Sequence, residues 1–309
     1  MGGDGSIRGM GLFLLLSGFI LFTRYRERIG EKPVAWTFLF KRWIRIVPPY
    51  WYILIPMLPF ASTFTGRDLE ASQVWKSLLL LPQEHPIHPL SGVLSHLLLF
   101  YLVFAVVLML GRGRGTVFLS GWFMLVLINF SSGLLDNHWV TQWIFSKYHL
   151  YFFVGGFIAY LVHKVEIPAP VPLMILGGAG LAFAWANADR QWLPLDDTFT
   201  YGIPVATILL GLALVQTRIN PSLPRLLNGL GDSAYMIFLT HIPTLTLLFH
   251  AAVHWGMIDR LGFAWTHAAA AGLAVGIGCL LHACVERPLF TLLQMNQKEP
   301  KPASQTATS

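Results

Sequence analysis

Arg42 and Arg45 stand three residues apart in Phe40-Lys-Arg42-Trp-Ile-Arg45-Ile-Val-Pro48-Pro-Tyr50, and on a helix that spacing puts both guanidinium groups on one face. A paired guanidinium face suits a phosphate or pyrophosphate, because each planar fork grips two oxygens at once. The plainer reading is that both arginines anchor the inner end of a span and snorkel to the headgroups. Pro48, Pro49, Pro56 and Pro59 follow, and the spacing predicts a broken or kinked helix whose freed backbone groups must face protein or a wet cavity. His241 lies within an apolar run, some ten residues into its predicted span, which places it near mid-membrane. An ionisable group at that depth is a functional candidate; the alternative is a neutral imidazole bonded to a neighbouring helix. His241 is therefore the candidate catalytic residue. Asp232-Ser233 reads as the N-cap of its helix. Glu286-Arg287-Pro288 closes the last apolar run, where Glu286 is expected to form a structural ion pair with Arg42 or Arg45.

Other polar residues carry less. His85 and His88 are separated by a proline and followed by another, which spoils metal-ligand spacing, and no metal is expected. His96, His138 and His149 fall near predicted span ends and read as interfacial. Cys279 and Cys284 read as membrane-buried thiols, neither a disulfide framework nor a metal site. No nucleophile elbow, phosphate-binding Gly-Lys loop or dinucleotide fingerprint occurs.

The elements that must position these residues are hydrophobic helices. Of 309 residues, 55% are hydrophobic and 12% charged, and the mean hydropathy is +0.59. A soluble domain carries about twice that charge, so the chain reads as an all-α polytopic membrane protein. Nine spans are predicted, at 9–23, 43–61, 91–110, 116–134, 147–163, 171–187, 200–216, 231–252 and 262–285. Seven cations (Arg24, Arg26, Arg28, Lys32, Lys41, Arg42 and Arg45) fall around the connection between the first two. The positive-inside bias places that connection in the cytoplasm, residue 1 outside and the C-terminus inside. On that topology 15 of the 21 Lys and Arg lie inside, and nine of the 15 acids lie outside. Sorting charge by side in this way removes the suggestion of nucleic-acid binding that a pI near 9.4 would raise. Cations follow the first apolar run instead of preceding it, unlike a cleavable signal peptide. Trp75-Lys76-Ser77-Leu-Leu-Leu-Leu81-Pro82, in the long 62–90 connection, reads either as a short amphipathic helix along the interface or as a segment that re-enters the bundle. Residues 1–288 read as one membrane domain and 289–309 as a short polar cytoplasmic tail. No internal repeat of the transporter type is evident.

Several of these segments together resemble the acyltransferase 3 family of integral membrane O-acyltransferases. Gly9-Met-Gly11-Leu-Phe13-Leu-Leu-Leu-Ser17-Gly18-Phe19 is similar to its Phe-Phe-x-x-Ser-Gly-Phe segment, and Arg42 through Pro48 and Tyr50 to its Arg-x-x-Arg-Ile-x-Pro-x-Tyr element. Phe153-Val-Gly155-Gly-Phe resembles its mid-chain Phe-x-x-Gly span. Leu230-Gly-Asp-Ser233-Ala-Tyr235 running to His241, and Val285-Glu286-Arg287-Pro288, resemble its last two landmarks. The resemblance implies transfer of an acyl group, often acetyl from acetyl-CoA, to a hydroxyl of a cell-envelope glycan or glycolipid. Acyl-CoA would be a donor substrate, not a tightly bound cofactor, with Arg42 and Arg45 at its cytoplasmic entry. Ser17, Gly18, Phe19, Pro48, Tyr50, Tyr235, Glu286 and Arg287 would be structural members of the motifs. The implied setting is a bacterial cytoplasmic (inner) membrane.

The chain departs from the family at two places. Ten spans are usual, the first bearing a histidine held to be catalytic, and this sequence begins just before the second; the expectation is an in-frame upstream span of ~20 apolar residues containing that histidine. The tryptophan-rich motif that precedes an acidic mid-chain position is not recognisable around Ser95-His96-Leu97. The competing classes are a transporter or flippase, in which Arg42, Arg45 and His241 line a permeation path, and a catalytically inactive remnant of the family.

Overall fold

Lipid offers no partner for backbone N–H and C=O groups, so apolar segments close their hydrogen bonds internally as helices. In the computed structural model every regular element among the described residues is helical. The structure describes residues 4–60, 69–83, 86–165, 170–190, 192–219 and 224–294. In chain order the helices are α1 (Asp4–Tyr25), α2 (Lys32–Met57), α3 (Ala71–Leu78), α4 (Ser91–Leu110), α5 (Arg112–Ser132), α6 (Trp139–Ile144) and α7 (His149–Lys164). They continue with α8 (Pro170–Arg190), α9 (Asp197–Ile219), α10 (Arg225–His254), α11 (Met257–Leu261), α12 (Phe263–Leu281), a π-turn (His282–Glu286) and α13 (Arg287–Gln294). Each of the nine predicted segments falls on one of these helices. Among the described residues six stretches, against the nine spans expected, are long and apolar enough to cross a membrane: 91–110, 112–132, 170–188, 197–217, 225–254 and 263–292. The sixteen residues of α7 reach only about 24 Å, and α2 carries Lys32, Lys41, Arg42 and Arg45 along its first half. The tail expected from residue 289 begins as helix, in α13; residues 295–309, like His85, lie outside the described residues.

The chain forms two compact units, divided within α2, near the start of α4 and between α9 and α10. The first gathers the described parts of Met1–Leu39 and Val93–Pro221. Here α1 and α7 meet through glycines. Gly18 admits the Phe152 backbone, Gly155 admits the carbonyl of Leu15, and Gly11 and Gly156 take the rings of Tyr151 and Phe22. Small residues permit such close approach of helices in lipid. The Ser17-Gly18-Phe19 and Gly155-Gly156 motifs are thus two halves of one contact, and the Ser17 hydroxyl is spent locally on the Phe13 carbonyl at 2.8 Å. Around it Phe38, Phe100, Phe104 and Phe152 are fully buried, with the Phe100 and Phe152 rings stacked 3.8 Å apart. Helices α8 and α9 pair by the same device at Gly177 and Gly211. Gly30, at φ +107°, turns the chain into α2 and donates its N–H to the Leu108 carbonyl at 2.9 Å. At the start of α9, burial alone would raise the Asp196 carboxyl, but hydrogen bonds from Lys147 (2.6 Å) and Thr198 outweigh it and hold the group below its ordinary range.

The second unit gathers Phe40–Gly92 and the described part of Ser222–Pro300. Two expectations are corrected in it. Of the break or kink expected from its prolines, the break does not occur: α2 is continuous through Pro48, Pro49 and Pro56 to Met57, with Pro59 in the 3-10 turn that follows. Proline removes the N–H that would reach the carbonyl four residues back. The helix is held instead by its neighbours. Ile44, Ile46, Val47 and Tyr50 are buried, and the Ile46 carbonyl accepts the Tyr235 hydroxyl at 2.9 Å. Ser233 is not an N-cap: α10 begins at Arg225, and the buried Ser233 hydroxyl donates to Gly229 four residues back. Tyr50 and Trp51 donate to the Ser77 and Leu78 carbonyls, at 3.0 and 2.8 Å, and so satisfy the C-terminus of α3. That helix is amphipathic as expected, with Ser77 buried and Trp75 exposed. Gly278 of α12 lies against α10, where an added Cβ would sit 2.7 Å from the Ile237 Cα.

Candidate functional site

The arginine face lies in the middle of α2, not at its mouth, because the helix starts ten residues before Arg42. Arg42 is half-buried and Arg45 exposed. The acid that joins them in the second unit comes from the π-turn. Thr266, Ala270, Ala274 and Gly278 form the buried stripe of α12, and a spacing of four drifts about 40° per step around an α-helix. The wider turn at His282–Glu286 takes up that drift, so both residues continue the stripe. Glu286 is 1% exposed, and its carboxylate accepts a 2.7 Å hydrogen bond from His282 Nδ1. Arg45 lies within electrostatic reach of the same carboxylate. The ion pair expected with an arginine therefore goes first to His282, a residue that neither spacing nor hydropathy singles out. Arg287 is exposed at the start of α13.

His241 sits half-buried in α10, its Nδ1 2.6 Å from the Phe238 carbonyl of its own helix. Its electrostatic neighbour is His88. His88 is fully buried, with Nδ1 accepting from the Leu90 N–H at 3.2 Å and Nε2 donating to the Leu239 carbonyl at 3.0 Å. The reason for the second bond lies four residues on. Pro243 has no N–H, so the Leu239 carbonyl lacks its helical partner, and His88 replaces it. Both ring nitrogens are committed, which makes His88 a latch on a proline-freed carbonyl and not a metal ligand.

In the first unit His149 is fully buried and packs 5.1 Å from His96 and 4.9 Å from Trp122, ring centre to ring centre. Its Nε2 donates to the Trp143 carbonyl at 3.0 Å. The Nδ1 atoms of both histidines are buried without a protein hydrogen-bond partner. His138 caps α6, its Nδ1 accepting from the Val140 N–H at 3.2 Å. Ser17, Gly18 and Phe19 lie in the first unit, whereas Arg42, Arg45, Pro48, Tyr50, Tyr235, His241, Glu286 and Arg287 all lie in the second. Hydrogen bonds or electrostatics join Tyr235 to the Arg42–Tyr50 turn, and Arg45 to Glu286.

Six membrane-length apolar helices among the described residues define a multi-pass integral membrane protein. The chain belongs to the acyltransferase 3 family: residues 8–283 match that family's acyltransferase domain. Four of the five motif segments named above lie within the match, and Glu286-Arg287-Pro288 follows directly after it. The exopolysaccharide production protein ExoZ of Rhizobium meliloti (strain 1021) is 28% identical over 299 residues, covering 91% of this chain and 89% of that protein. No solved structure matches.

Proposed function

We propose that this protein is a membrane O-acyltransferase that moves an acyl group, acetyl in the first instance, from acyl-CoA to a hydroxyl of a cell-envelope glycan or glycolipid. The observation that carries the reading is the family match across residues 8–283; a relative concerned with exopolysaccharide production supports a carbohydrate acceptor. Coenzyme A carries several phosphates, and Arg42 and Arg45 are the guanidinium pair proposed to hold them. Membranes containing the full-length protein, given radiolabelled acetyl-CoA and envelope glycan, should transfer label to the glycan as a base-labile ester. Absence of that ester with competent membranes would overturn the reading.

For the donor site, Arg42→Ala and Arg45→Ala should each raise KM for acetyl-CoA by about 10- to 100-fold, corresponding to one lost charge-assisted phosphate contact of roughly 1.5–3 kcal/mol. Lysine should rescue only in part, because an ammonium is a point charge without the fork. Wild-type KM in both alanine variants would reduce the arginines to anchors.

The proposed site requires the donor face in the cytoplasm. A reporter active only there should work when fused after Arg114 or Arg225 and fail when inserted within 62–90. The opposite pattern would reverse the topology and remove the donor site from the compartment that supplies acyl-CoA.

A further inference from the structure

We infer that the cluster of His96, His149 and Trp143 in the first unit is a binding subsite for a sugar ring of the acceptor; the inference rests on the carbohydrate acceptor proposed above. Among the described residues five buried side-chain polar atoms lack a protein hydrogen-bond partner, and four of them belong to Ser95, His96, Trp143 and His149. The rings of His96 and His149 meet edge to face, 5.1 Å apart. Ser95 precedes His96 on α4, and the Trp143 carbonyl accepts from His149 Nε2 at 3.0 Å. A buried polar atom left unpaired costs about 1–3 kcal/mol, so native structures keep such atoms few. Their concentration on these linked residues marks a place that a polar ligand completes.

The chemistry of the four atoms selects the ligand. A carbonyl only accepts, so the proton of His149 sits on Nε2, and Nδ1 presents a lone pair. Trp143 Nε1 only donates, whereas the Ser95 hydroxyl and the His96 ring do either. A phosphate or carboxylate brings acceptors alone and would meet the His149 lone pair. A hydrocarbon would leave all four atoms unpaired. A sugar hydroxyl donates and accepts at once, and one ring carries several. The surrounding surface is aromatic: Trp122 lies 4.9 Å and Phe152 6.1 Å from the His149 ring, and Tyr148 5.4 Å from that of His96. A few polar groups set among aromatic rings is the usual make-up of a small-ligand site.

The cluster is also held in place. Three consecutive carbonyls at the end of α6 are each tied by a side chain: Trp143 by His149, Ile144 by Trp122 Nε1 at 3.0 Å, and Phe145 by Asn129 Nδ2 at 3.3 Å. The His149 ring cannot turn without releasing its carbonyl, so its acceptor is oriented before any ligand arrives. His149 is fully buried and His96 half-buried, which makes His96 the side of entry. Both stand within two turns of the starts of α4 and α7, ends that the topology proposed above puts outside, where envelope glycan is met.

The first test uses the wild-type full-length protein in nanodiscs without acetyl-CoA. It is irradiated with a diazirine-bearing oligosaccharide released from envelope glycan, and the labelled peptides are mapped by mass spectrometry. Label that excess unmodified oligosaccharide competes away is expected within 91–101 or 139–153. Label confined to other segments overturns the inference, and this result stands even where a variant fails to assemble. His149→Gln keeps an N–H for the Trp143 carbonyl but lacks the Nδ1 acceptor, and His96→Leu removes the polar atoms of that ring. In transfer assays each should raise KM for the glycan by about 10- to 100-fold, with KM for acetyl-CoA within about 3-fold of wild type and an unchanged elution profile on size exclusion. His96→Asn, which returns a polar atom near the Nδ1 position, should recover most of the loss. A glycan KM within about 3-fold of wild type in both His149→Gln and His96→Leu overturns the subsite and leaves ordered water as what the four atoms hold. Wild-type protein that is photolabelled at the cluster yet transfers nothing from acetyl-CoA removes the acyltransferase reading and leaves the sugar site standing.

Discussion

Gly155→Val should leave no folded protein in the membrane, and Gly155→Ala should melt far below wild type. A Cβ at Gly155 would run into the Leu15 carbonyl oxygen and sit 2.7 Å from the Phe19 nitrogen. Both atoms are backbone of α1, so no rotamer change relieves the clash and the two helices must part. Parting them opens a core that includes Leu14, Leu15 and Phe152. Overpacking against flexible side chains costs about 1–3 kcal/mol; a backbone obstacle belongs above that range, a large share of a total stability of about 5–15 kcal/mol. Gly178→Ala is the matched control. It lies on α8 with nothing within 4 Å of its added Cβ, and alanine there gains up to about 1 kcal/mol in helix propensity. Fluorescence-detected size exclusion after graded heating measures both, and equal melting of Gly155→Ala and wild type would show that the helix contact yields.

His88→Ala should cost about 3 kcal/mol or more. It removes the ring from a sealed site, returns the Leu239 carbonyl to the unpartnered state that Pro243 created, and leaves the Leu90 N–H without its acceptor. Stability should also follow the titration of this ring. Burial pushes His88 down to about 4; the bond to Leu239 opposes that shift and neighbouring His241 adds to it. The folded state therefore prefers the neutral ring. Its contribution is complete above the unfolded value near 6.5, declines as pH falls below it, and is lost by about pH 4, a swing on the order of 3 kcal/mol. His88→Gln keeps a donor for Leu239 and cannot titrate. Its melting temperature should thus fall less than that of wild type between pH 7 and pH 4.5, and parallel curves would show that His88 does not govern the acid limb.

Much of this protein was legible in its sequence. Hydropathy and helical spacing located the six membrane-length apolar helices found among the described residues, because a helix in lipid satisfies its backbone from residues four apart and leaves its signature in a contiguous run. Trp75 and Ser77 showed an amphipathic α3 for the same local reason. The motif residues likewise declared themselves by type and order along the chain, and the family match covers most of them.

Partner choice was not legible, because it depends on residues far apart in sequence. His88 bonds Leu239 across 151 residues, and Tyr235 bonds Ile46 across 189. Nothing local to Pro48 and Pro49 says that α2 will run through them; packing of Ile44, Ile46 and Val47 decides it. Gly18 and Gly155 are each ordinary in a membrane helix, and only their meeting makes them irreplaceable. The Glu286 partner turned on a single irregular turn. With α-helical drift the buried stripe of α12 would have rotated away from His282 and Glu286, whereas the π-turn keeps both on it. A hydrogen bond is set by ångström-scale placement, which the helices of each unit reach only when packed together.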